Sequence, residues 1–317
     1  MTDVNIVFMG TPDFAVGVLK TLIDAGHNVV GVITAPDRPS GRGRKLNEST
    51  VKKYALEQAL TVLQPTNLKS ESFLNQLKQL NANLQIVVAF RMLPKVVWQM
   101  PKLGTFNLHA SLLPDYRGAA PINWAIINGE TITGVTTFFI DEKIDTGAII
   151  LQEEIAIDED DTAGDLHDKL MHLGSKLVVK TVALIGKGEV KTKQQKLSGK
   201  SNFKDAPKIY KETCRIDWAR SIDSVYNTIR GLSPYPGSWS VLHNNAETIE
   251  VKIYSVKKII EKHSDTIGMI ISNKKELKVA VDKGYILIEK LQLPGKRKMN
   301  IAELLNGYSL HNNAYFE

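Results

Sequence analysis

Asn107 and His109 stand two residues apart in the run Phe106-Asn107-Leu108-His109-Ala110-Ser111-Leu112-Leu113-Pro114. Asp145 follows in the polar turn Asp141-Glu142-Lys143-Ile144-Asp145-Thr146-Gly147. Side chains at i and i+2 of a β-strand share a face, so Asn107 and His109 point one way, and Phe106, Leu108 and Ala110 the other. An amide can donate to a developing oxyanion, and a carboxylate beside an imidazole holds the ring in one orientation. No Ser or Cys nucleophile accompanies them, so the set suits acyl or formyl transfer to an external nucleophile. A histidine hydrogen-bonded within a turn is the plainer account of the isolated pair, and composition alone slightly favours it.

Other constellations carry less. Gly10-Thr11-Pro12-Asp13-Phe14 follows an apolar run as a dinucleotide-binding turn would, but the fingerprint needs three glycines at set spacing, and Gly17 lies too far on. No phosphate-binding loop of the P-loop kind is present. His167 and His172 are five apart on a helical stretch and diverge in azimuth, so no metal site is expected. Cys214 is the only cysteine, which excludes an internal disulfide and fits a reducing cytoplasm. With Thr213 and Arg215 beside it and no histidine nearby, it is expected to be a structural, half-buried thiol.

The elements that must position Asn107 and His109 alternate along the first ~185 residues, a span long enough for one domain. Asn5 to Met9 is a short apolar strand, followed by a helix through Ala25, with Pro12 in its first turn and Thr11 as its cap. Val29 to Thr34 and Ile86 to Phe90 are further strands, with helices near Val51–Ala59 and Ser70–Leu80 between them. Phe106 to Ala110 and Val135 to Ile140 continue the series around a helix at Pro121–Asn128. Nearly all-apolar strands separated by helices imply a parallel sheet covered on both faces. If the strands flanking Asp141–Gly147 neighbour Phe106–Ala110, that turn can lie over the Asn107–His109 face. Leu166, Leu170, Leu173, Leu177 and Val178 then repeat at helical spacing, marking a long closing helix over Thr162–Gly186.

The chain divides into 1–186, a polar linker at 187–207, and a β-rich segment at 208–317. Five short strands after a helix near Ser221–Arg230 point to a small barrel, with an OB-like barrel as one such architecture. Charge follows the same division. Residues 1–186 hold 17 Lys+Arg against 20 Asp+Glu, and residues 187–317 hold 23 against 14. A basic second half fits a nucleic-acid-holding domain, and a solvated lysine-rich surface is the alternative. The amino-terminal run carries no signal-peptide pattern, and no apolar stretch approaches the ~20 residues of a membrane helix.

Several motifs together resemble the methionyl-tRNA formyltransferase family: Met9-Gly10-Thr11-Pro12-Asp13-Phe14-Ala15, Pro36-Asp37-Arg38-Pro39 with Gly41-Arg42-Gly43, Asn107 to Pro114, Tyr116-Arg117-Gly118-Ala119-Ala120-Pro121-Ile122, and Asp145-Thr146-Gly147. Asn-x-His with Ser-Leu-Leu-Pro and Arg-Gly marks the wider class that uses 10-formyltetrahydrofolate in this fold, and the arginine-rich loop after Pro39 is narrower. The resemblance covers essentially the whole chain. It implies a Rossmann-like catalytic domain followed by an OB-like, tRNA-binding one, in a cytoplasmic monomer. The activity it implies is transfer of the formyl group of 10-formyltetrahydrofolate, a co-substrate, to the α-amino group of methionyl-initiator-tRNA, without a metal.

By the same carry-over Asn107, His109 and Asp145 are the catalytic trio, and Ser111, Leu112, Leu113 and Pro114 line the folate site. The loop of residues 36–53 is expected to meet tRNA through Arg38, Arg42, Arg44 and Lys45; it also holds Lys52 and Lys53, against the acids Asp37 and Glu48. Cations on such a loop suit phosphates. One departure stands out: Val88-Ala89-Phe90-Arg91-Met92-Leu93-Pro94 has Arg91 where the family usually carries the Gly of Ala-Tyr-Gly, which requires a side chain directed away from the pterin. A formyltransferase acting on a nucleotide-sugar amine or on glycinamide ribotide, and a non-catalytic RNA-binding protein, are the alternatives. The basic second half counts against the former, and the register of Asn107, His109 and Asp145 with the folate turn against the latter.

Overall fold

Asn5–Gly10 is the central strand of a seven-stranded sheet, and Ile6, Val7, Phe8 and Met9 are all 0 % exposed. A computed structural model describes residues 3–40, 45–195 and 203–317. Strands Asn28–Ile33 and Leu84–Val88 flank Asn5–Gly10, both parallel to it, and Val62–Leu63 lies outside Asn28–Ile33. On the other side Leu84–Val88 pairs in parallel with Thr105–His109. These five parallel strands account for the unbroken apolar runs, since both faces are covered.

Gly10 ends the first strand because a Cβ there would come within 2.5 Å of the Ala15 Cβ and 3.0 Å of the Val88 carbonyl oxygen. The helix Asp13–Asp24 follows at once, with Pro12 at its N-cap and no side-chain cap, so the capping role expected of Thr11 is not taken up. Helices Thr50–Glu57 and Glu71–Gln79 are capped as their sequences indicate, by Ser49 and Ser70 accepting from Lys52 N and Phe73 N.

Beyond Thr105–His109 the sheet reverses. Ile132–Phe139 runs antiparallel to it, with Asn107 opposite Phe138 and His109 opposite Thr136, and Ile149–Ala156 forms the edge. This antiparallel pairing adds a hairpin to the parallel core. Its turn leaves the sheet where Ile140 N–H donates to the Thr105 carbonyl (2.9 Å), and the two arms meet again where Phe139 N–H donates to Ala148 (3.0 Å).

A second seven-stranded sheet is antiparallel, in the order Ile270–Ser272, Leu277–Val281, Gly284–Gln292, Glu247–Ile260, Ser238–Asn244 and Tyr315–Phe316, with Met299–Asn300 attached to Gly284–Gln292. Its two ends meet, because Ile270 N–H donates to Ala314 (3.0 Å) and Phe316 N–H to Gly268 (2.9 Å). That closure makes the OB-like barrel read from the sequence. The strand Ile270–Ser272 starts just after Gly268, which takes a φ of +85° and donates to Ala280. Val251, Ile253, Val279, Val281 and Ile286 fill the interior, with Val225 and Ile229 of the helix Ile222–Gly231 packed against them. Ser221 caps that helix by accepting from Ser224 N.

The units do not follow chain order. One gathers residues 1–118, 133–155 and 167–205; the other gathers 119–132, 156–166 and 206–317. The two inserted segments, which chain order assigns to the first part, cluster with the barrel. Arg230, 8 % exposed, is one reason: it donates to the Asp161 carbonyl (2.9 Å), the Asp158 carbonyl (3.4 Å) and Asn227 Oδ1 (2.8 Å). Arg230→Ala removes these three hydrogen bonds, one of them to the carbonyl of the buried Asp161, and is expected to cost about 1–3 kcal/mol in urea unfolding. An unchanged midpoint would show that the segment is held by apolar packing alone.

Candidate active site

His109 closes the strand Thr105–His109 and is 7 % exposed. Its Nε2 lies 2.8 Å from the Tyr116 carbonyl oxygen. A carbonyl only accepts, so Nε2 carries a proton and Nδ1 is the ring's remaining functional edge. Asp145 Oδ2 lies 3.9 Å from that Nδ1. The same oxygen accepts from Gly118 N–H at 3.0 Å. Asn107, half-buried and two residues before His109, makes no side-chain hydrogen bond among the described residues. The structure therefore brings the sequence-predicted trio to one site, with an amide free to donate and a carboxylate close to an imidazole.

The backbone of this site is specialised. Asp145 has a φ of +54° and Tyr116 of +61°, both in the left-handed region that few non-glycine residues occupy. Gly147 cannot be anything else, since a Cβ there would sit 1.6 Å from the Phe139 carbonyl oxygen. Asp141 Oδ1 ties the turn together by accepting from Lys143 N–H (3.0 Å) and Thr146 Oγ1 (2.7 Å).

The run Ser111–Pro114 is pinned rather than open. Ser111, 0 % exposed, donates through Oγ to the Asp115 carbonyl (2.7 Å), so its hydroxyl closes its own turn. Leu113 is buried with Phe138 and Ile149. Its N–H donates to Thr136 Oγ1 (3.2 Å), and its carbonyl accepts from Gln152 Nε2 (3.0 Å). Leu112 and Pro114 are the partly exposed members of the four. The sequence reading missed the Tyr116 carbonyl, the Gly118 N–H and Gln195, whose carboxamide bonds to Arg117 and to the Asp145 turn. Tyr116-Arg117-Gly118 stood out only as part of a motif, and nothing in the polar stretch around Gln195 sets it apart.

Comparison with known proteins settles the family. The profile of the family described as "Formyl transferase" matches residues 4–182, and that of "Formyl transferase, C-terminal domain" matches 208–309. The methionyl-tRNA formyltransferase of Flavobacterium johnsoniae is 60% identical over 314 residues, 99% of both chains. That of Bacteroides fragilis is 54% identical over 311 residues, 97% of this chain and 96% of its own. The chain belongs to the methionyl-tRNA formyltransferase family. Among solved structures, an N-formyltransferase from Helicobacter canadensis, in complex with folinic acid and dTDP-3-aminofucose, superposes with a TM-score of 0.64 at 21% identity, covering 94% of this chain and 100% of its own. HypX from Aquifex aeolicus, in complex with tetrahydrofolic acid, gives 0.66 at 17%, covering 96% of this chain and 47% of its own. At these identities they support the fold.

In this formyltransferase the arms of the arginine-rich loop form a small hairpin, Arg38–Ser40 against Lys45–Asn47, with Ser40 opposite Lys45. Arg38 is exposed. Arg42 and Arg44 lie outside the described residues. Lys52, counted among the loop's cations, is half-buried and already neutralised, bonded to Asp37 and to Glu48 Oε1 at 2.7 Å. The Lys52 ammonium and the Gln64 amide hold the Asp37 carboxyl below the usual carboxylate range. Lys52 thus anchors the base of the hairpin and is removed from the set that could meet phosphate.

Arg91 also has a fixed place. It donates to the Pro65 and Thr66 carbonyls, the latter at 3.1 Å, while the left-handed conformation in this segment falls on Ala89, with a φ of +48°. The side chain is directed at residues 65–66. Cys214 is 4 % exposed, more deeply buried than the half-buried thiol expected, and burial pushes the thiol up. Among the described residues no cluster of His, Cys, Asp and Glu could hold a metal, and no helix is long and apolar enough to cross a membrane.

Proposed function

We propose that this formyltransferase moves the formyl group of 10-formyltetrahydrofolate to the α-amino group of methionyl-initiator-tRNA, with Asn107, His109 and Asp145 as its catalytic residues. The observation that carries the reading is the pairing of His109 Nδ1 with Asp145 at 3.9 Å, beside a carboxamide with no bond of its own. The free amine attacks the formyl carbon, and the carbonyl π pair moves onto oxygen. Asn107 donates to that oxyanion, as does His109 through Nδ1 when the ring carries its second proton. Asp145 supplies the counter-charge and, directly or through water, passes a proton from the attacking nitrogen to N10. The C–N10 bond then breaks, the oxyanion collapses to the formamide, and tetrahydrofolate leaves.

Leu112 and Pro114, the partly exposed members of their run, contact the folate, with Ser111 and Leu113 holding the turn's shape. Arg38, Arg42, Arg44 and Lys45 meet the acceptor end of the tRNA, and the basic barrel holds the rest. A cytoplasmic monomer belongs to the same proposal. The deciding assay is formyl transfer to charged initiator tRNA, run beside uncharged initiator and charged elongator tRNA. Preference for charged initiator tRNA is expected, and equal use of a nucleotide-sugar amine would overturn the substrate assignment.

For the loop, Arg42→Ala is expected to lower kcat/KM for the tRNA and to flatten its log–log salt dependence by about one. KM for the folate should stay where it is. A folate defect with normal tRNA kinetics would sink the loop assignment.

A further inference from the structure

Gln195 lies beyond the long helix Ala163–Lys187, in the polar stretch read from the sequence as a linker. The stretch is docked there: Lys193 and Ile149 exchange both backbone hydrogen bonds, at 2.8 and 2.9 Å, which lays residues 193–195 alongside the end of the Asp145 turn. The Gln195 carboxamide then makes four bonds. Its Nε2 donates to the Asp145 carbonyl at 3.0 Å and to the Gly147 carbonyl at 2.9 Å. Its Oε1 accepts from Arg117 Nε at 3.2 Å and Nη2 at 2.5 Å. Arg117 precedes Gly118, whose N–H holds the Asp145 carboxylate at 3.0 Å. One amide therefore joins the two segments that fix this carboxylate, the turn that carries it and the backbone that binds it.

The arrangement is specific to a carboxamide. Two carbonyls require a donor with two N–H groups, and a guanidinium requires an acceptor. Asp145 also sits in a left-handed conformation that surrounding contacts must maintain. We infer that Gln195 is a positioning residue for the transfer, acting through Asp145 by holding its turn against the Arg117-Gly118 segment. The inference rests on the catalytic assignment of Asp145 made above.

The test is kinetic, on the full chain, with charged initiator tRNA and 10-formyltetrahydrofolate under single-turnover and steady-state conditions. Gln195→Met keeps the volume and removes donors and acceptor together. Gln195→Glu keeps the acceptor for Arg117 and removes the donors to the two carbonyls. Both are expected to lower kcat by up to about 100-fold, the scale on which misplacing a reacting group by about 1 Å acts. KM for both substrates should be unchanged. In an Asp145→Asn background the further loss should vanish, because a residue acting through Asp145 has nothing left to position.

Wild-type kcat in Gln195→Met, or a loss that persists in full in the Asp145→Asn background, would overturn the inference. So would a normal rate in Gln195→Glu, which would make the Arg117 bond the one that matters. If Asp145→Asn itself turned over at the wild-type rate, the catalytic assignment would fall, and this inference with it. A slow Asp145→Asn beside a normal Gln195→Met removes the inference alone.

Discussion

Asp145→Asn is expected to lower kcat by about 10²–10⁴-fold, the range over which a positioned acid–base group acts. The substitution is nearly isosteric and isolates charge from shape. An Asn amide oxygen can still accept from Gly118 N–H where Asp145 Oδ2 does so at 3.0 Å. The turn keeps its other ties, since Gln195 grips the backbone carbonyls of residues 145 and 147. Asn also tolerates the positive φ of this position. The change removes the negative charge 3.9 Å from His109 Nδ1 and, in the proposed mechanism, the group that carries a proton between two nitrogens. Turnover should collapse while tRNA affinity and melting temperature hold. A variant with the unsubstituted rate would remove Asp145 from the mechanism.

Asn107→Ala is expected to cost about 10²–10³ in kcat, the effect of deleting one oxyanion donor. The strand survives the change, because residue 107 pairs through its backbone with Val87 on one side and Phe138 on the other. The carboxamide has no partner within the described protein, so its removal strands no buried donor or acceptor. An interaction made only as charge develops on oxygen lowers kcat and kcat/KM together and leaves KM alone. Rapid-quench measurement of formylation with saturating folate checks this. A raised KM for the folate with normal kcat would instead make Asn107 a ground-state binding group.

Some of the site was legible because short-range rules decide it. Asn107 and His109 share a face by the two-residue period of a strand, and the structure keeps them together at the end of Thr105–His109. Ser49, Ser70 and Ser221 cap the helices that follow them, for equally local reasons. Thr11 fails as a cap for a local reason too: Pro12 occupies the N-cap position in its place. Lys52 misled because a cation counted along a loop says nothing of the Asp37 and Glu48 that fold against it.

The amino-acid sequence by itself determined the alternation of buried strands and helices, the β-rich second half, and the placing of an amide and an imidazole on one strand face. Each follows from periodicity, capping and burial within a few residues. The tertiary structure decided what long-range return of the chain alone can fix. The reversed strand Ile132–Phe139 sets the Asp145 turn against His109, and the Tyr116 carbonyl leaves Nδ1 as the working edge of the ring. Gln195 comes back from fifty residues beyond Asp145 to clamp its turn. The barrel closes by hydrogen bonds between residues 268–270 and 314–316. Nothing local marks such contacts, because a hydrogen bond depends on where two distant backbones end up and not on the residues beside either partner.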